Sequence, residues 1–144
     1  MSFESSGNRG SHADVLVVDA NVAFYAARVV DGFRDLRDPE LYGPSLMWSE
    51  ARAALHDVMW RGQLSKADAL SALERLEAAP VTRRDPPSLG HEAWRIAGEL
   101  GWARTYDAEY VALASILGCR LVTLDARLRR GADRLGFVVS PAEL

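Results

Sequence analysis

The sequence has little cysteine and no long apolar run, and each shortage excludes a class of protein. Cys119 is the single cysteine in 144 residues, so no disulfide can form within the chain. No apolar stretch approaches the ~18 residues that span a bilayer, and no basic and then apolar leader precedes a cleavable site. We therefore expect a cytoplasmic protein without a membrane segment.

The charge balance gives a weaker exclusion. A net charge of −3 argues against a surface that binds nucleic acid throughout, because such binding depends on Lys and Arg neutralising phosphates. It does not argue against an enzyme whose acids are clustered around a metal. Lys66 is the only lysine among 17 basic residues. Arginine suits forked contacts to phosphates, although genome composition alone produces the same bias.

Apolar patterning predicts one α/β domain over residues 14–144, after a flexible polar tail over residues 1–13. Strands that alternate with helices imply βαβ crossovers, and hence a three-layer sandwich with a mostly parallel central sheet flanked by helices. Strands are predicted within 14–19, 80–87, 119–125 and 137–140, with a loop that holds a short strand or a turn at 41–44. Helices are predicted within 20–29, 45–61, 65–79, 88–101, 104–118 and 126–136.

Asp19 and Asp125 each follow a predicted buried strand. In a parallel α/β sheet, ligands bind beyond the carboxyl ends of the strands, so both acids lie where a site is expected. Capping the next helix is the more common role of a single aspartate at such a place. Further acids are needed to favour a site.

Two acids on predicted helices supply them. Glu50 shares an apolar stripe with Met47 and Ala54, where a carboxylate is costly unless it binds an arginine or a metal. Asp107 lies in the first turn of its helix and faces inward; capping is the alternative there, with Thr105 as a rival cap. The acids predicted to converge at one edge of the sheet are Asp19, Glu50, Asp107 and Asp125.

Converging carboxylates repel one another and destabilise the fold unless a cation is present. Oxygen ligands alone suit Mg²⁺ or Mn²⁺, and the three histidines have no spacing that suggests zinc. Mg²⁺ held by carboxylates activates water for attack on a phosphodiester. No GxxxxGK[ST] loop suggests use of ATP or GTP. Hydrolysis of a nucleic-acid backbone is the chemistry that fits these residues best.

Four stretches resemble a known family in order and spacing. "VLVVDAN", "SLMWSEARAAL", "ARTYDAEYVALA" and "LVTLDARL" are similar to the motifs of PIN-domain ribonucleases, most closely the VapC toxins of bacterial toxin-antitoxin pairs. The resemblance implies an Mg²⁺-dependent (or Mn²⁺-dependent) endoribonuclease toxin that forms a homodimer and is blocked by a VapB-like antitoxin. It covers nearly all of residues 14–144.

The resemblance also assigns residues. It places the four family acids on Asp19, Glu50, Asp107 and Asp125, as metal ligands and catalytic groups. Thr123 and Asn21 match supporting polar positions, for which a strand threonine and a helix-start asparagine are the ordinary alternatives.

The sequence is rich in arginine near its end, and it holds four tryptophans. The segment "ARLRRGADR" carries Arg127, Arg129, Arg130 and Arg134, which either line the route of RNA phosphates, as we expect of Arg127 and Arg130, or form a solvated helix face. The tryptophans are Trp48, Trp60, Trp94 and Trp102. Core packing is the default for each, and the two in the 45–61 helix also suit dimerisation or antitoxin docking.

Two alternatives to a ribonuclease toxin follow from the same residues. The first is a catalytically weak PIN module that acts by binding RNA or a protein partner. The second is a metal-dependent phosphatase, which generally has a second aspartate where this chain has Asn21.

Overall fold

Five short strands run through the middle of the molecule. The computed structural model of the protein describes residues 15–36 and 40–144, apart from the side chain of Asp35, and the numbers of strands and helices refer to that part of the chain. The predicted tail, residues 1–13, lies outside the described residues. The strands are β1 Val15–Val18, β2 Glu40–Gly43, β3 Val81–Arg83, β4 Arg120–Val122 and β5 Val138–Val139.

The strands form one parallel sheet in the order β3-β2-β1-β4-β5. β1 is central, and its Val17 lies opposite Tyr42 of β2 and Leu121 of β4. Leu16, Val17 and Val18 are at most 1% exposed, because a parallel sheet covered on both faces buries a continuous apolar run. The predicted parallel sheet is confirmed, with β3 as an edge strand.

Six α-helices lie between and after the strands in the described ranges. They are α1 Ala20–Ala27, α2 Ser45–Trp60, α3 Lys66–Glu77, α4 Leu89–Leu100, α5 Tyr106–Leu117 and α6 Ala126–Gly131. α1 packs against α2 and α3, while α5 packs against α4, β1 and β4. The predicted α/β sandwich is therefore confirmed.

The predicted helix ends are confirmed at two glycines and wrong for the first helix. Gly101 and Gly118 end α4 and α5 with φ of +72° and +68°, a left-handed conformation that glycine adopts without steric cost. α1 ends at Ala27, two residues early. The chain turns back there so tightly that a Cβ on Gly32 would lie 2.0 Å from the carbonyl oxygen of Ala26.

Core packing holds for Trp48 but is wrong for Trp60 and Trp94. Trp48 is buried, whereas Trp60 and Trp94 are 81% and 76% exposed. Trp94 lies one residue away from Ala93 on the buried face of α4, so the helical period turns it outward. Within the described ranges, the helices are too short or too polar to cross a membrane.

Candidate active site

Asp19 lies at the carboxyl end of the central strand and is the most buried of the four predicted acids. Its amide donates to the Val122 carbonyl at 3.1 Å, which continues the β1–β4 pairing by one residue. One carboxylate oxygen, Oδ1, accepts from the Ala20 amide at 2.7 Å, and Oδ2 accepts from the Thr123 hydroxyl at 2.6 Å. Asp19 thus caps α1, as the alternative predicted, and is also near enough to Asp107 and Glu50 for their charges to act on it.

Burial raises the pKa of the Asp19 carboxyl to about 6, although the hydrogen bonds from Thr123 and Ala20 act in the opposite direction. The negative charges of Asp107 and Glu50 raise this pKa further. Both donors to Asp19 are neutral, and in residues 15–36 and 40–144 no arginine or lysine forms an ion pair with it. A buried carboxylate in this position is short of positive charge.

Thr123 and Asn21 tie the ends of β1 and β4 together around Asp19. The Thr123 hydroxyl is 1% exposed; it donates to Asp19 and accepts from the Asp125 amide at 3.0 Å and the Asn21 amide group at 3.5 Å. Asn21 Oδ1 accepts from the Leu124 amide at 3.1 Å. Thr123 therefore contacts Asp19 directly, and Asn21 contacts Thr123.

Glu50 projects from α2 and is held by a tyrosine. The buried Tyr110 hydroxyl on α5 donates to Glu50 Oε1 at 2.5 Å. Partial burial raises the pKa of Glu50, the Tyr110 hydrogen bond lowers it, and the charge of Asp107 raises it. The alternative of an arginine partner is not realised among the described side chains, where Arg52 instead pairs with Glu77.

Tyr110 is absent from the site predicted from sequence. It lies three residues after Asp107, a spacing that places both side chains on one side of α5. Glu109 is also absent from that prediction; partial burial raises its pKa, and the charges of Glu50 and Asp85 raise it further. The i,i+3 spacing to Asp107 was the signal available for Tyr110.

Asp107 and Asp125 have different surroundings. Asp107 is half-buried in the first turn of α5; burial raises its pKa, the charge of Asp125 raises it further, and Arg127 lowers it. Thr105 makes no side-chain cap on α5. Asp125 instead caps α6, where its Oδ1 accepts from the amides of Arg127 and Leu128 at 2.9 and 3.2 Å.

The structure thus brings three predicted acids together and adds the fourth at their margin. The charges of Asp107 and Glu50 raise the pKa of Asp19, and the charge of Asp107 raises the pKa of Glu50, whereas Asp125 acts on the pKa of Asp107. Among the described residues, no three His, Cys, Asp or Glu side chains stand ready-made as a metal-binding group. The donor chemistry nevertheless fits a hard divalent cation, because the oxygens are acidic, partly buried and mutually repelling.

A cavity of about 570 Å³ opens directly beside these acids. Glu50 and Asp107 form part of its wall, and the 101–106 loop and the start of α6 form the rest. Arg127, predicted as a phosphate contact, is one of its lining residues. Arg129 and Arg134 are engaged elsewhere: Arg129 pairs with Glu143 at 2.7 Å, and Arg134 donates to the Glu99 carbonyl at 2.9 Å.

Comparisons with known proteins find a family model and relatives that match most of the chain. A family model described as PIN domain matches residues 16–134. The chain is 40% identical over 116 residues to "VapC ribonuclease Mb0985" of Mycobacterium bovis and to "Ribonuclease VapC9" of Mycobacterium tuberculosis, covering 79% of this chain and 88% of each relative. It is 38% identical over 90 residues to "Ribonuclease VapC3" of M. tuberculosis, covering 62% of this chain and 64% of that protein.

Solved structures share the fold. PAE2754 from Pyrobaculum aerophilum superposes with a TM-score of 0.73 at 26% identity, covering 92% of this chain and 93% of that one. FitAcB from Neisseria gonorrhoeae superposes with a TM-score of 0.58 at 20% identity, covering 90% of this chain and all of that one, and is similar in fold alone.

Proposed function

The chain belongs to the PIN domain family, and we infer that it is a ribonuclease, the toxin of a VapBC-type toxin-antitoxin pair, which hydrolyses RNA phosphodiester bonds. The observation that carries this inference is the buried Asp19 carboxylate, which lies beside Glu50 and Asp107 with neutral donors on both its oxygens. Such a group is poised to bind a cation. We take the domain to run from residue 14 to 144, because β5 lies beyond the matched residues 16–134 and pairs with β4.

Enzymes of this family depend on a divalent metal, and we propose Mg²⁺ or Mn²⁺ for this chain. The oxygen-only donor set supports that choice over zinc. When bound, such a cation lowers the pKa of water and stabilises the charge that develops on a phosphodiester during in-line attack. We propose Asp19, Asp107, Glu50 and Asp125 as the residues that hold it.

The surrounding side chains fix the geometry of these acids. Thr123 and the Ala20 amide orient the two oxygens of Asp19, and Tyr110 orients Glu50. Asn21 holds the backbone after β4 and supports Thr123. We propose that these bonds preorganise the acids, which reduces the reorganisation needed when substrate binds.

Arg127 and Arg130 are the proposed contacts to RNA phosphates. Arg127 lines the cavity beside Asp107, and its charge lowers the pKa of that acid. Arg130 is exposed on the same short helix, three residues further on. Phosphate contacts of this kind position RNA without reading its sequence.

A cognate VapB-like antitoxin is the partner that the family implies, and we propose that the toxin itself is a homodimer. The exposed indole of Trp60 at the end of α2 supports an interface, because aromatic side chains are enriched at such surfaces. Light scattering should give twice the mass of one chain, and Trp60→Ser should reduce it. A single-chain mass for the wild type at micromolar concentration would remove the dimer from the proposal.

The experiment that tests the proposed function is RNA cleavage by purified protein. Wild type should cut RNA in Mg²⁺ or Mn²⁺ and stop when chelator is added, whereas Asp19→Asn and Asp107→Asn should fold and lose at least ~100-fold of the rate, about the effect of removing one electrostatic contact in an active site. Asp57→Asn is the matched control, since Asp57 is an exposed aspartate of α2 paired with Arg61. If Asp19→Asn cuts as fast as wild type, the site is wrong. Growth inhibition without any cleavage would instead support a module that acts by binding.

A further inference from the structure

The cavity beside the acids has the composition of a nucleotide-binding site. We define the side groove by its lining residues Glu50, Trp102, Arg104, Tyr106, Asp107 and Arg127. Its volume of about 570 Å³ lies within the range of small-ligand pockets. Acids that belong to the proposed catalytic site form one wall, and arginine and aromatic side chains form the others.

The two arginines of the side groove are free to bind an anion. Among the side chains that the structure describes, neither Arg104 nor Arg127 lies within 4.0 Å of a carboxylate as an ion pair. This differs from Arg95, which pairs with Glu92 and Glu99, and from Arg129, which pairs with Glu143. Guanidinium groups offer forked contacts that match phosphate oxygens.

The positive charges of the same arginines are needed to offset the repulsion between the acids and the phosphates of RNA. A phosphodiester that approaches Asp19, Glu50 and Asp107 meets negative charge, which a bound divalent cation offsets at the reacting phosphate. The flanking phosphates receive no such help. Arg127 is near enough to Asp107 to lower its pKa, so its positive charge lies at the boundary between the acids and the side groove.

Tyr106 supplies a surface on which a base can stack. It is the first residue of α5, one position before Asp107, and 53% of it is exposed although it lines the side groove. A single-stranded nucleic acid is bound by aromatic rings that stack on its bases together with basic side chains that follow its backbone. An exposed ring that shares the groove with two arginines, next to a hydrolytic site, meets both requirements.

We propose that the side groove binds the nucleotide next to the scissile phosphate of single-stranded RNA, with Tyr106 against the base and Arg104 and Arg127 on the flanking phosphates. This proposal rests on the proposed function and names a substrate subsite for it. Tyr106 and Arg104 become determinants of substrate affinity and of preference at the adjoining base.

Binding is measured in the full-length Asp19→Asn protein, which the proposed function makes inactive, with a fluorescein-labelled single-stranded RNA 12-mer in Mg²⁺. Tyr106→Ala should weaken binding by about 5- to 100-fold, because stacking needs the ring. Tyr106→Phe keeps the ring and should bind as tightly as the protein with Tyr106. Arg104→Gln and Arg127→Gln should each reduce the slope of log K against log salt by about 0.7, the value for one phosphate contact to a single strand.

Matched controls lie outside the side groove. Tyr25 on α1 is 54% exposed, nearly the same as Tyr106, and Arg120 is an exposed arginine that begins β4, at the opposite end of that strand from the acids. Tyr25→Ala and Arg120→Gln should leave both affinity and salt slope unchanged. In the background that keeps Asp19, the groove variants should raise KM more than they lower kcat.

The outcomes separate the subsite from the function. If wild type cleaves, Asp19→Asn does not, and the groove variants bind RNA like their parent, the subsite is wrong and the function holds. The subsite is equally wrong if the groove variants weaken only antitoxin binding. If wild type fails to cleave any RNA with Mg²⁺ or Mn²⁺, the proposed function is wrong, and unchanged binding by the groove variants then overturns the subsite separately.

Discussion

At the scale of single residues, Asp19 carries a charge that the fold alone does not neutralise. Burial raises its pKa to about 6, so the folded protein holds a proton on Asp19 over a pH range in which the unfolded chain has lost it. The resulting stability is present below the ordinary pKa of 3.8 and is lost as pH rises through about 6. The rise in the pKa of Asp19 from 3.8 to about 6 corresponds to about 3 kcal/mol in the free energy of unfolding.

Asp19→Asn removes this dependence. In metal-free buffer, the free energy of unfolding of Asp19→Asn minus that of wild type should grow by up to about 3 kcal/mol between about pH 4 and pH 7. Urea denaturation at several pH values measures it, and Asp57→Asn serves as the exposed control. If that difference in the free energy of unfolding stays constant with pH, the pKa of Asp19 is not raised in the folded protein.

Tyr110 makes a second prediction at this scale. Tyr110→Phe keeps the buried ring and removes the hydroxyl that holds Glu50, so cleavage should fall about 10-fold or more while the fold survives. Tyr42→Phe is the matched control, because the half-buried Tyr42 donates to Glu40 at 2.6 Å in an exposed hydrogen bond that involves none of the four acids.

A readout without metal separates positioning from packing at Tyr110. In the metal-free protein, Glu50→Ala strands the buried hydroxyl, which costs about 1 to 3 kcal/mol. Adding Tyr110→Phe should recover part of that loss, and the thermal unfolding of the four proteins measures the coupling. Additive losses in the double variant would mean that the hydrogen bond does not form.

At the scale of elements, Asp125 is both a helix cap and one of the proposed catalytic acids. Its carboxylate caps α6, and an asparagine at a helix N-cap is about as effective. Asp125→Asn should therefore keep its stability within about 0.5 kcal/mol, so any loss of cleavage reports the missing charge. Asp125→Ala should lose about 1 kcal/mol in addition.

Ser65 is the control for that pair of variants. Its hydroxyl caps α3 by accepting from the Asp68 amide at 3.0 Å. Ser65→Ala should lose about 1 kcal/mol and cut RNA at the wild-type rate. If Asp125→Asn also cuts at that rate, Asp125 acts only as a cap.

The elements were largely predictable, and the contacts between them were not. Alternation of apolar strands and amphipathic helices reports the local period, which is why β1, α2 and α5 fall where expected. Pairing of Tyr110 with Glu50 depends on how two helices cross, which no local period contains. Trp94 is exposed because it lies one position further around α4 than the buried Ala93.

The four acids show the same division. Strand ends and helical spacing predicted that four carboxylates converge at one edge of the sheet, because the carboxyl ends of parallel strands share one edge. The unequal place of Asp125 was not predictable, since its cap competes with the site for the same side chain.

At the scale of the whole molecule, a divalent cation should stabilise the fold. Asp19, Glu50 and Asp107 repel one another in the folded state, so a cation that they hold stabilises that state. Mg²⁺ or Mn²⁺ at about 100 times its Kd should add about 2.7 kcal/mol to the free energy of unfolding. Calorimetry should show Tm rising with metal and returning when chelator is added. An equal rise in Asp19→Asn would place the cation elsewhere.

The sheet order has a consequence for the time at which the protein acquires activity during synthesis. β1 is made first and lies at the centre, but its partner β4 leaves the ribosome only after α5, close to the end of the described chain. A nascent chain therefore carries Asp19 and Glu50 long before it carries Asp107 and Asp125. A chain that ends before residue 107 holds only Asp19 and Glu50 of the four acids and has no β4 to support Asp19, so the proposed site assembles late in synthesis.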